Sequence, residues 1–141
     1  ISRALYRLGQ SKMHLSDDEK FLDLGIALEM VLLDSENSKK EMPDQLGLTF
    51  RLRGSWLISD SAEERVEVMK ALRDIYSLRS QVAHGGISPT LAKMDKRSRK
   101  EALERNFKIA ERIFRQILRS GLPSQEVWSK LILGFAPPHR R

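Results

Sequence analysis

Three times in this chain a serine stands three residues ahead of a glutamate and opens an apolar run: Ser16 and Glu19, Ser61 and Glu64, Ser98 and Glu101. Each pair is a capping box. The serine hydroxyl accepts from the backbone N–H of the glutamate and the carboxylate reaches back, which predicts a helix start. The runs that follow keep a period near 3.6. Phe21, Leu24, Leu28 and Leu32 form one row, widened by Leu22, Ile26 and Leu33. Val66, Met69, Leu72, Ile75, Tyr76 and Val82 form a second, and Leu103, Phe107, Ala110, Phe114 and Ile117 a third. No run alternates apolar and polar residues as a half-buried strand does.

The expected helices are Ser2 to Met13, with Leu5, Leu8 and Met13 on one side and His14 at its end, then Asp17 to about Leu33. A polar loop from Asp34 to Pro43 leads to a helix from Asp44 to about Ile58, in which Gly47 and Gly54 permit a tight crossing. The longest helix runs from Ala62 to Ala83, about 33 Å, closed by Gly85 and Gly86 as a left-handed cap. Ile87 to Lys96 is a loop with room for a short helical turn, and the Ser98 helix ends at Ser120-Gly121. Ser124 caps a short last helix through Trp128, Leu131 and Ile132, before a frayed Pro137-Pro138-His139-Arg140-Arg141 tail. The fold class is therefore all-α: an up-and-down bundle of four main helices with a short helix at each end. One domain accounts for residues 1–141, its core over about 1–120. The chain opens on Ile1, as a piece of a longer protein would.

No stretch is apolar enough for a membrane span, and none resembles a signal peptide. With no cysteine there is neither a disulfide framework nor a thiolate metal site, and the expected setting is cytoplasmic. The net charge of +6 is uneven: from Gly85 onward 13 Lys and Arg face 5 Asp and Glu, against 12 and 14 before it. Such asymmetry suits a polyanion, nucleic acid before membrane. The basic run Lys93, Lys96, Arg97, Arg99 and Lys100 is its local form and the expected RNA contact.

Subtraction narrows the chemistry. The chain has no phosphate-binding glycine loop, no His-Glu-x-x-His and no nucleophile elbow, so neither metal nor cofactor is expected. Arg79 and His84 remain, at the end of the longest helix. With 15 arginines and 3 histidines, such a spacing arises about once by chance, and Arg7 with His14 is a second instance. Histidine both takes and gives a proton near neutral pH, and arginine offers a planar fork to phosphate oxygens. Together they suit RNA cleavage, in which the 2′-OH is the nucleophile. Five residues at 100° each put the two side chains about 140° apart. They converge only if the helix unwinds before Gly85, or if a two-fold dimer supplies two of each.

Arg79-Ser-Gln-Val-Ala-His84 resembles the motif of the HEPN superfamily of helical nucleotide- and RNA-binding domains, and Tyr76, Arg79, Ser80, His84 and Gly85 are similar to its Apea-like group. Ile26-Ala-Leu-Glu29 and Phe50-Arg-Leu-Arg53 resemble two further helices of that group, with Ser55 and Ser80 as departures. The resemblance covers about residues 1–120. It implies a dimeric, metal-independent endoribonuclease with catalytic Arg79 and His84, supported by Tyr76, Ser80, Glu29 and Arg53. It also implies a toxin or antiviral-defence role, with a cognate antitoxin or another defence protein as partner. The alternative it carries is a non-catalytic module binding RNA, nucleotide or a partner protein.

Overall fold

A computed structural model describes residues 1–33 and 43–134. Most of the expected loop before Pro43 and the expected frayed tail lie outside the described residues. Among the described residues every regular element is a helix: α1 (Ser2–Met13), α2 (Asp17–Leu32), α3 (Pro43–Ile58), α4 (Ala62–Gly85), α5 (Pro89–Ala92), α6 (Lys96–Ser120) and α7 (Gln125–Ile132). None is long and apolar enough to cross a membrane.

The caps explain most boundaries. Ser16 and Ser61 accept from the N–H groups of Glu19 and Glu64, as the capping boxes require. At α6 the expected cap is displaced. The helix begins at Lys96, and Asp95 accepts from the N–H of Ser98 at 2.7 Å, so Ser98 lies inside the first turn. An aspartate caps as well as a serine and sits three residues earlier. The end of α4 is displaced as well. Gly85 is still helical, and only Gly86 takes the left-handed conformation (φ 75°), its N–H donating to the carbonyl of Val82. Ser88 opens α5 by accepting from Leu91.

The main core gathers Leu24, Leu28 and Leu32 of α2, Phe50 and Leu57 of α3, Leu72 and Ile75 of α4, and Ala110, Ile113 and Ile117 of α6. Burying each large apolar side chain contributes about 1.5–3 kcal/mol. A smaller cluster around Phe21, Leu78, Leu91 and Leu103 seats α5. Two members of the expected rows fall outside: Met13 is 76% exposed and Val66 51%. Met13 closes α1 beyond its buried Ala4, Leu8 and Ser11. α1 packs along α2, and α4 packs against both α2 and α3. A β-carbon on Gly54 would stand 2.5 Å from Leu72 Cδ1, which is the tight crossing expected of this glycine. Arg112 of α6 donates to the Ile58 carbonyl at 2.8 Å and to Glu64 at 2.5 Å, tying α6 to the turn between α3 and α4.

Candidate functional site

α4 carries the candidate residues. Its continuous helix sets their geometry: Arg79 and His84 leave it about 140° apart and about 7.5 Å along the axis. The unwinding before Gly85 that would let them converge does not occur. Within one chain the two side chains serve different surroundings.

Arg79 faces α2. Its Nη2 donates to Glu29 Oε2 at 3.0 Å, with both side chains mostly buried (29% and 21% exposed). No other nitrogen of this guanidinium is hydrogen-bonded among the described residues, and Nε is buried without an acceptor. Burial raises the Glu29 carboxyl above its ordinary value, against the charge and hydrogen bond of Arg79. The Tyr76 hydroxyl, one turn before Arg79, is also raised, by burial first and then by the negative charge of Glu29. The Tyr76 ring rests on Phe50, with centroids 5.3 Å apart. A carboxylate inside an apolar segment has found its cation 50 residues away.

Arg53 is buried on the same side of the molecule and bonds elsewhere. Its Nη1 donates to the Leu32 carbonyl at 2.8 Å and its Nη2 to Gln125 at 3.1 Å, and the guanidinium lies 5.2 Å from the Trp128 ring centroid. Glu29, Arg53, Tyr76, Arg79, Arg3 and Trp128 line one cavity of about 870 Å³, with apolar walls from α2, α3 and α7. That arrangement can hold an anion against aromatic and aliphatic surface.

His84 does not line this cavity. It is exposed in the last turn of α4 and makes no hydrogen bond or ion pair among the described residues. Ser80 is half-buried. The loop beyond His84 is held firmly. Asp18 accepts from the Ser88 N–H at 2.8 Å, the Ser88 hydroxyl donates to Gln81 at 2.6 Å, and the Gln81 amide donates to Thr90 at 3.0 Å.

The basic run begins at the end of α5 and continues into the first turns of α6. Arg97 pairs with Glu101 at 3.1 Å, and Arg99 reaches toward Asp17 at 3.9 Å. Lys93 and Lys96 are exposed, and Lys100 turns toward α1 and α2.

A cluster around a carboxylate that the spacing did not single out, Asp23, joins α1 to α2. Asp23, buried at 6% exposure, accepts from Arg7 Nη1 at 2.7 Å and contacts His14 Nε2 at 2.6 Å, while Glu19 stands 3.5 Å from His14 Nδ1. Arg7 and His14 were the second instance of the Arg/His spacing, and the fold joins that pair through a shared carboxylate. Among the described residues no group of three or more His, Asp and Glu is placed to hold a metal ion. Compared with protein-family models, with curated proteins and with solved structures, the chain matches none.

Proposed function

We propose that the chain is a HEPN-like domain whose four long helices, α2, α3, α4 and α6, run up and down, and that it cleaves RNA without a metal in a site formed by two copies. The observation that supports this reading is the state of His84. It is exposed at the end of α4 and makes no hydrogen bond or ion pair among the described residues, and the same helix carries a cation, Arg79, that Glu29 of α2 holds. One histidine cannot be acid and base at once, so a two-fold arrangement supplies the second. In such a site His84 of one copy takes the proton from the 2′-OH as its oxygen bonds to phosphorus. The partner's His84 gives a proton to the departing 5′-oxygen, leaving a 2′,3′-cyclic phosphate and a 5′-hydroxyl. Arg79 stabilises the charge on the non-bridging oxygens. A toxin or defence effector of this kind acts in the cytoplasm and is restrained by a cognate protein.

A second reading has its own support. Glu29 neutralises Arg79 beside a cavity walled by Arg3, Arg53 and Trp128, an arrangement suited to binding RNA, nucleotide or a partner protein without cleavage. Digestion of RNA by wild type and His84→Ala in EDTA separates the two. Endonucleolytic cleavage leaving cyclic-phosphate ends, lost in the variant, is expected. RNA binding without cleavage at any protein concentration establishes the second reading. Light scattering should report a dimer, burying about 1,200 Å² or more. A monomer at tens of micromolar that still cleaves removes the two-fold site.

A further inference from the structure

A groove between the end of α1, the start of α2 and the outer face of α6 brings together residues distant in sequence. Lys100, Leu103, Phe107, Lys108 and Glu111 lie at positions i, i+3, i+7, i+8 and i+11 of α6 and so share one face. Lys12 and Lys20 close the opposite wall of a space of about 430 Å³. Leu103 and the half-buried Phe107 form an apolar floor, with the ammonium of Lys12 5.5 Å from the centroid of the Phe107 ring. Lys12 is paired with Glu111. Lys20, Lys100 and Lys108 make no ion pair among the described residues, and Glu104 offsets only one of them.

Three unpaired ammoniums around an aromatic floor repel one another in the absence of a ligand, and the arrangement matches one class of partner. Single-stranded nucleic acid presents a flat base for the ring and phosphates for cations at its rim. Double-stranded nucleic acid keeps its bases stacked away from such a floor. The Lys12–Glu111 pair is exposed enough (49% and 40%) to part at small cost when a base approaches the ring. We infer that the α1/α2/α6 groove binds single-stranded RNA, with Phe107 as the stacking platform and Lys20, Lys100 and Lys108 as phosphate contacts. The inference rests on the reading of the chain as an RNA-acting domain for the choice of nucleic acid, and of the expected basic run it uses Lys100.

The test is fluorescence anisotropy with a labelled single-stranded oligouridylate in EDTA, using full-length His84→Ala protein so that binding is read without cleavage. Replacing Lys20, Lys100 and Lys108 together by Ala should weaken binding about tenfold or more at moderate salt. It should also lower the slope of log affinity against log salt by about 2, since each single-strand phosphate contact contributes about 0.7. Phe107→Leu keeps an apolar floor and should weaken oligouridylate about fivefold or more, while leaving inorganic polyphosphate, which has no base, unaffected. Circular dichroism and melting of each variant establish that it is folded. An unchanged affinity and slope in the triple lysine variant overturns the inference. So does equal loss of both probes in Phe107→Leu, or tighter binding of an acidic peptide than of oligouridylate. If wild type never cleaves RNA but the groove variants behave as expected, the cleavage reading fails and this site stands.

Discussion

Gly25 of α2 lies so close to Arg79 of α4 that a β-carbon on it would stand 2.5 Å from both Cβ and Cγ of the arginine. The β-carbon of Arg79 is fixed by the α4 backbone and cannot swing aside. Arg79 is therefore laid across α2 at this glycine and delivered to Glu29, one turn further along the same helix. Gly25→Ala is expected to destabilise the fold by about 1–3 kcal/mol through overpacking and to reduce any RNA cleavage with it. Urea titration checks the first effect. An unaltered midpoint would mean that α2 and α4 separate easily.

Glu29 makes stability depend on acidity. Its raised carboxyl holds a proton to a higher pH in the folded chain than in the unfolded one. Over the window from the ordinary glutamate value up to the raised one, the folded state binds more protons, so stability falls as pH rises. Glu29→Gln cannot titrate and should flatten that fall, as denaturation across mildly acidic pH would report. Glu29→Ala should cost about 1–3 kcal/mol at neutral pH, because it leaves the Arg79 guanidinium without its acceptor.

Asp23 should matter more to α1 than its single charge suggests. Asp23→Asn removes a carboxylate that two partners share and is expected to cost about 2–3 kcal/mol. Hydrogen exchange should show faster opening across Ser2–Met13 while α6 stays protected. Equal acceleration in both helices would mean that the cluster does not hold α1 in particular.

The two candidate caps of α6 are separable. Asp95→Ala should lower the melting temperature and Ser98→Ala should leave it nearly unchanged, because the aspartate is the residue that accepts the N–H. The Asp95 carboxyl is held below its ordinary value, chiefly by its hydrogen bonds from Ser98. Its contribution is therefore present above the ordinary aspartate range and is lost as pH falls through the lowered value. Equal effects of the two substitutions would return the cap to Ser98.

Local signals carried over into structure almost one for one. Ser16, Ser61 and Ser124 each cap the helix they were expected to cap, because capping is decided within four residues. Ser98 failed for a reason of the same range, an equally good cap three positions earlier. The apolar rows met in the core because a 3.6 period commits a face whatever lies opposite it. Tertiary pairings stayed hidden. Nothing near Glu29 names Arg79, and nothing near Lys100 names Lys12 and Lys20 across α1 and α2. Gly25 shows the same limit. Its neighbours spell an ordinary helix, and the need for a missing side chain arises only when α4 arrives. Arg7 and His14 were legible as a spacing, but the carboxylate that joins them belongs to another helix.

The bonds that run from Asp18 through Ser88 to Gln81 and Thr90 give the exposed end of α4 an unusual mechanical character. A terminal turn normally frays, and an imidazole there would sweep a wide volume, losing most of that freedom whenever it engaged another molecule. Here α2, α4 and α5 are riveted together within a few residues of His84. The imidazole rides on a post instead of a tether, so the backbone share of the entropy of placing it is already settled in the folded chain, before anything arrives to meet it.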